Sequence, residues 1–88
     1  MDRTVVRLKP GAQFFSDRGR EGLLLDGRVR MAQGGAQLLL LRALRARAQK
    51  PARLIAELLR DPALNMKETD AALALAGFIL DFDLYLES

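Results

Sequence analysis

The spacing of apolar positions changes once along the chain. Up to residue 32 they alternate with polar ones or fall in short runs; from Ala36 they recur every three to four residues. Alternation suits strands and the longer period suits helices. The pattern therefore predicts strands within residues 1–32 and helices within 36–86.

"TVVRLK" (residues 4–9) reads as a strand with Val6 and Leu8 inward, stopped by Pro10-Gly11. "AQFFSD" (12–17) is a second extended candidate, and "DRGREG" (17–22) a polar loop. Residues 22–26 and 28–32 flank Asp26-Gly27. Such a pair favours a type I′ hairpin, because both positions tolerate positive φ. In the second arm Val29 and Met31 share one face, and Arg28 and Arg30 the other.

Ala36 to Ala48 reads as a helix with Leu38, Leu41 and Leu44 on its buried side. Pro51 suits the first turn of a second helix, which Pro62 ends near Arg60. Asn65 and Glu68 have capping-box spacing before a third helix that continues to about Tyr85. Asp81, Asp83 and Glu87 sit against the dipole at its end.

The third helix has more apolar surface than one core contact needs. Ala71, Ala74, Leu75, Phe78, Ile79 and Phe82 form one stripe; Leu73, Gly77, Leu80 and Leu84 form a second. A surface helix ordinarily carries one apolar face. The second stripe is either further core, a homodimer interface, or one wall of a binding groove.

Composition narrows the chemistry. The 88 residues contain no Cys and no His, which removes disulfides, the usual zinc sites and the Ser-His and Cys-His nucleophile pairs. No spacing of carboxylates points to a shared cleft, and Gly34-Gly35 alone makes no phosphate loop. The reading is a single non-catalytic domain over 1–88, with no cofactor and no metal. The N-terminus lacks the apolar stretch of a signal peptide, and the longest apolar run, Ala71 to Leu80, cannot span a bilayer. A cytoplasmic location without a membrane partner is expected.

Charge is uneven. Residues 1–60 hold 13 Lys or Arg against 5 Asp or Glu, and residues 61–88 hold 1 against 6, for a net +3. The basic part and the helix-turn-helix-like order raise a winged-helix nucleic-acid binder as an alternative. The third helix would be its reader, yet it is apolar and acidic, with Lys67 alone at its start. A plain interaction or dimerisation module is the other alternative.

"LKPGAQFF" (8–15), "GLLLDGRVRMA" (22–32), "AQLLLLRAL" (36–44), "PARLIAELL" (51–59) and "ETDAALALAGFIL" (68–80) follow one another in an order and spacing that resemble a PqqD-like domain, or RiPP recognition element. The resemblance implies an α+β, winged helix-turn-helix-like fold: an N-terminal antiparallel sheet of three strands followed by three helices. It implies binding of the leader segment of a ribosomally synthesised precursor peptide, added as a strand to the sheet edge beside the third helix. It further implies a maturation enzyme as partner, such as a radical SAM enzyme or a leader protease. On this reading Arg28, Val29, Arg30 and Met31 form the edge, and Leu73, Gly77, Leu80, Asp81 and Leu84 the opposite wall. The two arginines favour acidic leader residues; taken alone they also suit a solubilising guard on an edge strand.

Overall fold

The computed structural model describes residues 5–87. Five short strands and three helices are arranged as two antiparallel sheets and a helical layer. β2 (Gln13–Asp17), β3 (Arg20–Leu25) and β4 (Arg28–Met31) form a three-stranded meander in the order β2-β3-β4. β1 (Arg7–Leu8) pairs instead with β5 (Leu86–Glu87), which joins the two ends of the chain.

Both hairpins of the meander turn on two residues. Asp26 and Gly27 have φ of 52° and 78°, as the Asp-Gly pair predicts for a type I′ turn. Arg18 and Gly19 repeat the arrangement at 53° and 80°. The stretch expected to be a loop is therefore a second tight turn; its arginine tolerates the left-handed region that usually selects Asn, Asp or Gly.

Gly22 is required for a different reason. A Cβ there would overlap the Arg30 carbonyl oxygen and lie 2.7 Å from the Met31 Cα. The close approach of β3 to β4 at this point excludes any side chain.

α1 (Gly34–Ala46), α2 (Pro51–Arg60) and α3 (Glu68–Asp81) follow the sheet. Pro51 occupies the first turn of α2. Beyond its end the Asp61 carboxylate accepts the Ala63 N–H at 2.9 Å. The core lies between helices and sheet. Leu23, Leu40, Leu41, Leu54, Leu58, Phe78 and Phe82 are its largest fully buried side chains.

Three expectations need correction. The first strand does not join the N-terminal sheet. Val6 exchanges backbone hydrogen bonds with Gln49, and the Lys9 N–H donates to the Tyr85 carbonyl. These contacts and the β5 pairing use the segment elsewhere; Thr4, included in the expected strand, lies outside the described residues.

The third helix ends at Asp81 rather than near Tyr85. A 3-10 turn, Asp83–Tyr85, follows and leads into β5. Carboxylates at 81, 83 and 87 oppose continuation against the negative end of the dipole. Leaving the helix also frees the backbone of residues 85–87 to pair with the segment around β1.

The N-cap of α3 is Lys67, not Asn65. Asn65 takes a positive φ of 49°. The Asp70 carboxylate reaches back to accept the Lys67 N–H at 3.1 Å. Lys67 offers no side-chain acceptor in return, so only half of a capping box forms.

Candidate peptide-binding edge and its helical wall

β4 hydrogen-bonds to β3 alone, and no described strand lies on its other side. The register fixes which backbone groups face outward. Leu25 pairs with Arg28 across the two-residue turn, Leu23 with Arg30, and the Ala32 N–H donates to the Glu21 carbonyl at 2.7 Å. In an antiparallel ladder bonded and non-bonded pairs alternate. Val29 and Met31, opposite Leu24 and Gly22, are therefore the non-bonded positions. Their two N–H and two C=O groups point to the vacant edge.

The same register decides the faces. Phe14, Leu23 and Arg30 stand directly opposite one another and share a face. Leu23 is fully buried, so this is the face toward the helices. Arg45 of α1 lies over the Phe14 ring, 5.1 Å from its centroid, as that placement requires. Arg28 and Arg30 thus point toward the helical layer, while Val29, 46% exposed, takes the outer face with Met31.

Arg30 meets the end of α3. Its guanidinium lies 3.6 Å from the Asp81 carboxylate and 5.9 Å from the centroid of the buried Phe82 ring. Asp81 also accepts a 2.8 Å hydrogen bond from the Gln37 side-chain amide. The Gln37 carbonyl oxygen in turn accepts the Gln33 N–H at 2.9 Å, where the chain leaves β4. Asp81 is the point at which β4, α1 and α3 are tied together.

Arg28 lines a cleft of about 600 Å3 with Leu25, Asp26, Lys9, Pro10, Leu84 and Tyr85. The cleft lies between the hairpin tip and the 3-10 turn. Arg28 and Leu84 line this cleft together, and Arg30 and Asp81 form an ion pair. Lys9, Pro10 and Tyr85 are added by the β1–β5 pairing, for which the local pattern gives no signal. Gln37 is also new; one polar side chain early in a leucine-rich helix is its only trace in the sequence.

The remaining wall residues are placed by the helical repeat. With 100° per residue, Leu73 and Leu80 lie about 80° and 100° round the α3 axis from Asp81. They are 68% and 77% exposed and occupy the outermost side of the helix. Gly77 lies between them and Asp81 and has nothing within 4 Å of where a Cβ would be. Gly77 and Asp81 thus lie on the flank toward β4, with Leu73 and Leu80 beyond them, and Leu84 follows in the 3-10 turn beside Arg28.

The basic run of α1 is partly engaged within the fold. Arg42 donates to Glu21 on β3 at 2.7 and 3.2 Å. This hydrogen bond, with the Arg42 and Arg45 charges, holds the Glu21 carboxyl below its ordinary range against the opposing effect of burial. The same pairing raises Arg42. Among the described residues no helix is long and apolar enough to cross a membrane, and no cluster of three or more acidic side chains could hold a metal ion.

Comparison with known proteins gave no matching family model, no matching curated protein and no matching solved structure. The functional reading therefore rests on the geometry of this edge and wall and on the sequence pattern.

Proposed function

We propose that this domain is a PqqD-like, winged-helix-type recognition element. It binds the leader segment of a ribosomally synthesised precursor peptide and presents the rest of that peptide to a modifying enzyme. It acts by binding, without a catalytic group or cofactor of its own.

The observation that carries this reading is the vacant β4 edge, with the Val29 and Met31 backbone turned outward beside the end of α3. An extended guest completes the ladder there. Guest side chains opposite Arg28 and Arg30 share their face and lie toward Gly77, Asp81 and Leu84. Guest side chains opposite Val29 and Met31 lie on the outer face and cover Val29. The chemistry favours a guest with carboxylates at alternate positions and a β-branched or aromatic residue between them.

The magnitudes fit a weak, transient complex. Four backbone hydrogen bonds contribute about 0.5–1.5 kcal/mol each net. Burial of one large apolar side chain adds roughly 1.5–3 kcal/mol. Their sum, reduced by the cost of ordering a flexible segment, lies below the about 8 kcal/mol net of a micromolar complex.

Selection of a displayed library of random twelve-residue peptides on the immobilised protein tests the proposal. It predicts peptides of alternating acidic and apolar pattern whose binding is lost in Val29→Pro. That substitution removes an outward N–H that the fold does not use. Peptides that bind Val29→Pro as well as the wild type, or a selection that yields none, contradict the reading.

A further inference from the structure

Three of the most exposed large apolar side chains lie on or just after one helix: Leu73 at 68%, Leu80 at 77% and Leu84 at 52%. Leu73 and Leu80 stand on the side of α3 away from the buried Ala71, Leu75 and Phe78. The α3 backbone bonds to itself, so this crest offers no edge for a strand. It offers a row of leucines with a gap at Gly77, where nothing lies within 4 Å of a Cβ. A mid-helix glycine weakens the helix, and here its open side lets a second backbone come close.

The charges along the crest specify what covers it. Asp70 and Asp81 are eleven residues apart, which is three turns, so they fall within about 20° of each other round the axis and about 16 Å apart along it. Both lie on the flank nearest β4. Asp83 follows in the 3-10 turn; Lys67, at the N-cap, is the one cation from residue 67 to residue 87, and Arg30 of β4 lies 3.6 Å from Asp81, so Asp70 and Asp83 carry most of the uncompensated negative charge. A second copy fits poorly. A two-fold antiparallel crossing at Gly77 brings Asp70 of each copy toward Asp81 and Asp83 of the other, and like charges then face each other.

We infer that the outward face of α3 docks a cationic amphipathic helix of a partner protein. The partner places an apolar side chain over Gly77, between Leu73 and Leu80, and Lys or Arg residues about three turns apart against Asp70 and Asp81. This surface shares Gly77 and Asp81 with the wall beside β4 but uses no backbone group of β4, so the inference does not require strand addition. With Leu73 and Leu80 at its centre the contact is small, of the transient class, and depends on salt.

The test uses a fluorescein-labelled synthetic eighteen-residue helix with one leucine stripe and lysines eleven residues apart beside it, and a second peptide with glutamates in place of those lysines. Anisotropy at low ionic strength should show the lysine peptide binding at least tenfold more tightly than the glutamate peptide. Leu80→Ser and, independently, Leu73→Ser should each weaken it at least fivefold. Both side chains are exposed, so the melting temperature of each variant should match the wild type. Val29→Pro should leave this binding unchanged, which separates it from strand addition. Equal binding of the two peptides, or unaltered affinity in both leucine variants, overturns the inference. So does a wild-type dimer in sedimentation that Leu80→Ser dissociates, because a second copy then occupies the crest.

Discussion

The Arg30 guanidinium lies 3.6 Å from the Asp81 carboxylate, and this contact joins the outermost strand of the sheet to the last residue of α3. Both side chains are 42% exposed. The pair spans the line along which a guest strand would lie.

An exposed pair of this kind contributes about 0.2–1 kcal/mol. Asp81→Asn should therefore lower stability by less than about 1 kcal/mol in urea denaturation, the Gln37 contact being retained by the amide oxygen. By releasing Arg30 it should strengthen binding of an acidic strand-adding peptide by about two- to fivefold, read by calorimetry. Weaker binding in Asp81→Asn would mean that the carboxylate contributes to the guest site and does not compete with it.

Gly77 separates folding from binding. With open space around it, Gly77→Ala should stabilise the protein by about 1 kcal/mol, the difference in helix propensity. Gly77→Leu should keep the fold, by circular dichroism, and weaken peptide binding by filling the flank beside β4. Full affinity in Gly77→Leu would move the guest away from this wall.

Gly22 behaves in the opposite way. A Cβ there meets the β4 backbone at Arg30 and Met31, which has no flexible end to give way. Gly22→Ala should cost about 1–3 kcal/mol or more, as overpacking does, and should loosen the β3–β4 pairing. An unchanged thermal midpoint would show that the strands can separate without loss.

Acid sensitivity follows from Glu21. Arg42 holds its carboxyl below the ordinary value in the folded protein. The stabilisation is complete above the unfolded value, about 4.3, and is lost as pH falls through the lower folded value. Arg42→Gln should therefore reduce the urea midpoint at pH 7 and reduce it less at pH 3. An equal reduction at both would show that Arg42 acts through packing of its stem.

How much of this was legible in the sequence depended on how local the cause was. Asp26-Gly27 predicted its hairpin, and Pro51 and Pro62 bracketed α2 to the residue, because turn and helix-end preferences act within a few positions. α1 begins two residues before the expected start, within the usual scatter of helix ends. The β1–β5 pairing was not legible, since it joins segments nearly eighty residues apart that are each two residues long. The early end of α3 was only hinted at, by acidic residues that oppose the dipole. The facing of β4 was ambiguous: Leu23, Leu24 and Leu25 could present either side to the core, and only the register shows that Leu23 is buried and brings Arg30 inward with it. The second stripe of α3 was legible as an excess of apolar surface. Its division into a flank toward β4 and an outward crest needed the Arg30–Asp81 contact to set the orientation.

Amide hydrogen exchange at single-residue resolution tests strand addition most directly, on the free protein and on its complex with a library-selected peptide. In the free protein the Arg30 amide should be protected and the Val29 and Met31 amides should exchange freely. On saturation, exchange at Val29 and Met31 should slow at least tenfold. Slow exchange at these two amides before any peptide is added, or no slowing in the saturated complex, would contradict the account.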